Sequence, residues 1–165
     1  MMIDAYFATA DLVDAFQAEL QSCESQFLNV GGNKRFFGAV TTIKCQNDNA
    51  LLKETLGTPS NGGVLVVDGG ANMKTALVGD IIAAIAIKNG WAGIIVNGPI
   101  RDSVAISKMA VGLKALGTNP AKSGKLGTGQ KDVSVRFGGV TFEAGCWVYS
   151  DEDGIVIANR ELPIG

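Results

Sequence analysis

Twenty residues separate Asp80 from the pair Arg101-Asp102, and these three side chains carry the most definite chemistry the sequence offers. Asp102 is a hard oxygen ligand, suited to Mg2+ or Mn2+ held mostly by water and substrate. Arg101 presents a planar fork of donors that fits a carboxylate or an enolate oxygen. Asp80 can hold a water for proton transfer, and Gly79 before it lets a ligand approach the backbone closely. A cation beside a guanidinium stabilises a developing oxyanion. The same residue types also admit a plain structural reading. Asp80 is then a helix-start acid favoured by the helix dipole, and Arg101-Asp102 a surface turn whose ion pair is worth about 0–1 kcal/mol. Spacing alone leaves both readings open.

The elements around these residues bring them to one place. Gly63 to Asp68 (GVLVVD) is a short apolar run, as expected of a strand covered on both faces. After the Gly69-Gly70 turn, Gly79 to Lys88 (GDIIAAIAIK) reads as a helix stopped by Asn89-Gly90. Trp91 to Val96 reads as a second buried strand, followed by Asn97-Gly98-Pro99 as a turn. A ten-residue helix advances about 15 Å, and the next strand returns about 16 Å. Arg101-Asp102 is therefore expected beside the opening turn of the helix, where unpaired N–H groups and the helix dipole favour an anion. Open α/β sheets bind ligands at this end. The two strands are expected to be parallel, joined by a right-handed crossover.

Composition narrows the chemistry further. The chain of 165 residues has no histidine, which removes Ser-His-Asp and Cys-His engines and every imidazole ligand. Fourteen basic against sixteen acidic residues leave no basic excess for phosphate-backbone binding, so no direct nucleic-acid partner is expected. Cys23, Cys45 and Cys146 are odd in number and widely spaced, which fits reduced thiols and a cytoplasmic location. The N-terminal stretch carries Asp4 and Asp11 and no basic segment, so no signal peptide is expected. No apolar run approaches the roughly 18 residues of a membrane span.

Elsewhere, Thr9 is expected to cap a helix from about Ala10 to Leu20, with Leu12, Val13, Phe16 and Leu20 on its buried face. Phe36 to Lys44 reads as a strand. Asn49 to Leu56 reads as a short helix ended by Gly57, and Val104 to Met109 as another. Thr118 to Gln130 is polar and Gly-rich, hence a surface loop. Short strands follow at Val133–Phe137, Val140–Phe142, Trp147–Tyr149 and Ile155–Ala158, with Asp153-Gly154 as a hairpin turn. The fold class is α/β: one domain over residues 1–165, with a central βαβ unit, an antiparallel β layer packed on it and helices outside. Three other motifs fail. Asp151-Glu152-Asp153-Gly154 lacks EF-hand spacing, Lys122-Ser123 does not complete a P-loop, and Val67 to Asn72 lacks the GxGxxG frame.

Longer segments carry a resemblance. They are Phe36-Phe37-Gly38 through Thr42-Ile43-Lys44-Cys45, Val64 to Gly70, Ala92 to Gly98 with Arg101-Asp102, Phe137-Gly138-Gly139-Val140, and Asp151 to Gly154. From about Asp4 to Ala158 the chain resembles the family of ribonuclease-activity regulator A proteins and 4-hydroxy-4-methyl-2-oxoglutarate aldolases. The aldolase branch is marked by Asp, twenty residues and then Arg-Asp, matched by Asp80, Arg101 and Asp102. The resemblance implies a swivelling β/β/α-type fold, a homotrimer with sites near subunit interfaces, and a divalent-metal aldolase of the class II type. It implies Asp102 as the ligand to Mg2+ or Mn2+, and Arg101 as the group that contacts substrate and stabilises a pyruvate enolate. It implies the backbone of Gly79, Asp80, Ile81 and Ile82 as a cradle for the substrate carboxylate, with Asp80 orienting a catalytic water. The implied substrate is a small 2-keto acid: 4-hydroxy-4-methyl-2-oxoglutarate, cleaved to two pyruvates, or oxaloacetate, decarboxylated. Ending at Gly165, the chain is shorter than many aldolase relatives, which favours the smaller oxaloacetate. The regulator branch implies a different role, a non-catalytic protein that binds and inhibits an RNA-degrading endonuclease.

Overall fold

The computed structural model describes residues 6–164; Asp4, one of the acids that tell against a signal peptide, lies outside them. One sheet forms the framework. Its parallel part consists of β3 (Phe36–Lys44), β4 (Val64–Asp68), β5 (Gly93–Ile100) and β6 (Gly112–Thr118), adjacent in that order. The nine residues of β3 join two pairings. Val40 to Lys44 run parallel to β4, while Phe36 to Ala39 run antiparallel to β10 (Trp147–Asp151). The hairpin partner β11 (Gly154–Ala158) and the short β1 (Leu20–Ser22) extend that antiparallel side. The expected antiparallel layer is thus continuous with the parallel sheet through β3.

Alternation of side chains folds the two halves face to face. Val64, Val66 and Ile95 on one face of the parallel strands pack with Val148, Ile155, Ile157, Val140 and Phe142. Here β8 (Val135–Phe137) and β9 (Val140–Phe142) form a separate hairpin. Phe36 fills the gap at two glycines: a Cβ on Gly93 or Gly112 would lie 2.3 or 2.0 Å from its ring. The opposite face, with Leu65, Val67, Ile94, Val96, Leu113 and Ala115, is covered by helices α2 (Ala50–Leu56) and α3 (Asp80–Lys88) through Leu52, Leu56, Ile82, Ala83 and Ala86. A third cluster seats α1 (Thr9–Phe16) on Tyr149, Val156 and Ala158. The order of layers is β/β/α, as expected.

Several expectations change in detail. Helix α1 ends at Phe16; Gln17 to Glu19 form a 3-10 turn and Leu20 opens β1. Thr9 does not cap it. Ala8 holds the N-cap position, and the buried Thr9 donates from its N–H and hydroxyl to the Asp151 carboxylate, both at 2.7 Å. Asn97-Gly98-Pro99 lies inside β5 rather than after it, at a register shift between Val96 and Pro99. Such an irregularity is where a strand tolerates proline. The helix expected over Val104 to Met109 is α4 (Ser103–Ile106). β6 was not expected at all: GLKALGT has no apolar run, and its Lys114 is 3% exposed.

Candidate functional site

Parallel pairing determines where the chemistry-bearing residues meet. β5 carries the chain to Ile100, which bridges Val78 in parallel, and the Arg101 N–H donates to the Val78 carbonyl at 3.0 Å. The next residue of each segment is then at the same spot: Gly79 opening α3 on one side, Arg101-Asp102 on the other. The Asp102 Oδ2 accepts the N–H of Asp80 at 3.1 Å. A Cβ on Gly79 would stand 2.8 Å from that Oδ2, 3.5 Å from Arg101 Cγ and 3.6 Å from Arg101 Nε. Glycine is required here by this close approach and not by its dihedrals, because φ −126° and ψ −169° suit any residue.

Asp102 takes the left-handed conformation, φ 60° and ψ 37°. This region is uncommon outside glycine, but Asp and Asn adopt it more readily than most residues. The turn throws the carboxylate back onto α3 instead of onward along the chain. Asp102 therefore caps a helix 22 residues earlier in sequence. Ile81 and Ile82 follow in the same first turn, where the N–H groups have no intrahelical acceptor. Their side chains differ: Ile82 is buried against the sheet, while Ile81 is 69% exposed. Any role of these two residues in holding an anion runs through their backbone.

Arg101 is exposed and pairs with no carboxylate of the described residues; the one ion pair among them is Arg160 with Glu19, 2.8 Å apart. Its Nη1 donates instead to the Pro120 carbonyl at 3.3 Å. That leaves the rest of the fork for an anionic ligand. Asp80, Arg101 and Asp102 all face solvent in the single chain, beside exposed Val104 (71%) and Ile81. The site is a surface patch, not an enclosed cavity. A hollow of about 310 Å³ lies elsewhere, between α1, Cys23 and the Asp153-Gly154 turn.

The donor set fits a weakly held hard cation. Among the described residues no three His, Cys, Asp or Glu side chains gather, so no all-protein cage is built. Mg2+ does not need one, since it keeps most of its water and binds through one or two carboxylates plus substrate. Asp102 supplies one such carboxylate, with Oδ2 on α3 and Oδ1 bonded to nothing among the described residues. The cysteines offer no ligand here. Burial first, and then Asp48 and Asp68, push the Cys45 thiol up to about 12, and Cys146 is buried away from the site.

One neighbour of the candidate site escaped the sequence. Pro120 and Asn119 fall in the stretch read as a plain surface loop, yet they touch Arg101 and its supports. Asp68, Gly69, Gly70 and Asn72 form a structural turn. The Asp68 carboxylate accepts from Asn97 Nδ2 at 3.0 Å and Gly70 N–H at 2.9 Å and is 7% exposed.

Comparison with known proteins agrees with this architecture. The model of the RraA-like family, Aldolase/RraA, matches residues 9–157. A structure from Geobacillus kaustophilus HTA426, described as an S-adenosylmethionine:2-dimethylmenaquinone methyltransferase, is 48% identical. It matches with a TM-score of 0.93 over 94% of this chain and 97% of that one. The RNA-processing inhibitor RraA from Thermus thermophilus is 36% identical, with a TM-score of 0.93 over 97% and 99% of the two chains. An unusual member of the RNase ES inhibitor RraA family from Streptomyces coelicolor is 27% identical, with a TM-score of 0.74 over 90% and 77%.

Proposed function

We propose that this chain, which belongs to the RraA-like (Aldolase/RraA) family, is a divalent-metal-dependent carbon–carbon lyase of the class II type. Its substrates are small 2-keto acids, 4-hydroxy-4-methyl-2-oxoglutarate or oxaloacetate, both of which leave a pyruvate enolate. The observation that carries this reading is the convergence of Asp102, Arg101 and the first turn of α3 on Gly79.

Each group has a task. The N–H groups of Ile81 and Ile82, at the positive end of α3, hold the substrate carboxylate. Arg101 lays its fork on the oxygen that gains negative charge as the carbon–carbon bond breaks. Asp80 orients a water that moves the proton. Asp102 would hold Mg2+ or Mn2+ together with water; when bound, the cation supplies the positive charge that a Schiff-base lysine supplies in other aldolases. Exposure of Ile81 and Val104 beside this patch supports a homotrimer in which a neighbouring subunit covers the site. Among the described residues no helix is long and apolar enough to cross a membrane, which is compatible with the cytoplasmic location we assign.

The deciding experiment is pyruvate release from each keto acid with Mg2+ or Mn2+, run beside EDTA and beside Asp102→Asn. Turnover that vanishes in both supports the reading; turnover that survives exhaustive chelation overturns it. A second reading rests on the Thermus relative, described as an RNA-processing inhibitor. In it the protein binds an RNA-degrading endonuclease and blocks cleavage. Dose-dependent inhibition of that nuclease by metal-free protein, with no pyruvate release, would favour it. The methyl transfer ascribed to the Geobacillus relative is not carried over. Asn97 and Gly70 both donate to Asp68 Oδ1, which fixes the turn at the end of β4, and the GxGxxG frame of a dinucleotide-type loop is absent from Val67 to Asn72.

A further inference from the structure

We infer that Asn119 is a positioning residue for Arg101, acting through the carbonyl of Pro120. The inference rests on the lyase reading for its functional consequence, but its geometry stands apart from it.

The Pro120 carbonyl is the acceptor of the Arg101 guanidinium, so whatever fixes that carbonyl aims the fork. Pro120 has no N–H with which to anchor itself. Its neighbours do the anchoring, and one amide group does most of it. Asn119 Nδ2 donates to the carbonyls of Met73 at 2.8 Å and Lys74 at 3.1 Å. Asn119 Oδ1 accepts the N–H of Ala121 at 3.0 Å, closing a turn around Pro120. The backbone continues the hold: Asn119 N–H donates to the Ile100 carbonyl at 3.0 Å, and the Ala121 carbonyl accepts from Ala76 at 2.7 Å. Three separate segments, 73–76, 100–101 and 119–121, are thus tied together around Asn119, whose side chain holds Met73, Lys74 and Ala121 while the backbone reaches Ile100 and Ala76. Both ends of the amide are used, so a residue that only donates or only accepts cannot replace it. An exposed arginine would otherwise lose rotamer entropy on each productive contact. A carbonyl held in place restrains the fork beforehand.

The test uses the full chain and two readouts. The first needs no ligand: the NMR order parameter of the Arg101 side-chain Nε, assigned through loss of its signal in Arg101→Lys. It should be high in the unaltered chain and fall below about 0.6 in Asn119→Ala. Asn119→Asp, which keeps the acceptor and loses both donors, should show the same fall and serves if the alanine variant does not fold. Equal mobility of Arg101 in all of them overturns the inference. The second readout is binding of oxalate, a planar enolate mimic, in the presence of Mg2+. Asn119→Ala should weaken it about tenfold or more, and should have no further effect in an Arg101→Ala background. Additive effects overturn the inference. Absence of oxalate binding by the unaltered chain instead sinks the lyase reading and leaves the order parameter to decide the positioning role.

Discussion

A carboxylate bent back on a helix start can serve two ends, and Asp102 meets the conditions of both. It accepts the Asp80 N–H, as a capping group would, and among the described residues its other oxygen has no partner and the neighbouring guanidinium pairs with no carboxylate. Substitution separates the roles. Asparagine tolerates the left-handed φ of 60° and can still accept the Asp80 N–H. Asp102→Asn should therefore unfold within about 0.5 kcal/mol of the parent in urea, while metal-dependent turnover falls to background. A large loss of stability would assign Asp102 to capping alone. Arg101→Lys tests the fork. An ammonium keeps the charge but cannot reproduce two parallel donors, so kcat should drop about 100-fold with the thermal midpoint unchanged. Near-normal turnover would remove Arg101 from the reaction.

At the scale of elements, two glycines show how the same change acts through different surroundings. Gly79 opens α3 in an extended conformation open to any residue, and its neighbours belong to the exposed side chains of Asp102 and Arg101. Gly79→Ala should leave unfolding nearly unmoved but push Asp102 and Arg101 off the helix start. The expected result is at least a tenfold loss of kcat/KM, on the order of one strong contact. Gly112 in β6 faces the ring of Phe36 at 2.0 Å from the position of a Cβ, inside the core. Gly112→Ala should cost about 1–3 kcal/mol of stability by overpacking and leave the chemistry of the folded fraction intact. Reversed outcomes would mean that α3 and β6 do not divide the work as described.

For the whole molecule, the closure of the chain depends on Asp151. Burial opposes its ionisation, but hydrogen bonds from the Thr9 N–H and hydroxyl, and from the N–H groups of Asp153 and Gly154, outweigh that and hold its carboxyl below the usual value. The folded pKa is depressed, so the stabilisation is present above the unfolded value and is lost as pH falls through the folded one. Thr9→Val removes the hydroxyl donor. It should destabilise by about 1–2 kcal/mol at neutral pH, and the difference should shrink in acid, as pH falls through the depressed folded value and the carboxyl takes up its proton in both states. Denaturant unfolding at neutral and at acid pH checks this; a difference that grows on acidification would contradict it. Lys114 closes the same corner from β6, donating to the carbonyls of Asp151 at 2.5 Å and Gly154 at 3.3 Å, while burial lowers its pKa.

The sequence by itself determined many of the local elements and the meeting of Gly79-Asp80 with Arg101-Asp102. Phe36–Lys44 and Val140–Phe142 were legible to the residue, because runs rich in β-branched and aromatic residues fit the pleated, half-buried surface of a strand. The meeting of Gly79-Asp80 with Arg101-Asp102 followed from the helix and strand lengths of a βαβ unit. Only the tertiary structure decided what distant partners control. Thr9 looked like a cap until Asp151, 142 residues away, claimed its hydroxyl. Gly112–Thr118 became a buried strand because carbonyls from another hairpin satisfy Lys114. Asn119 gained its place beside Arg101 from the turn at Met73 and Lys74. Local propensity is written in neighbouring residues, whereas the satisfaction of a buried or bridging polar group depends on chain that arrives from elsewhere.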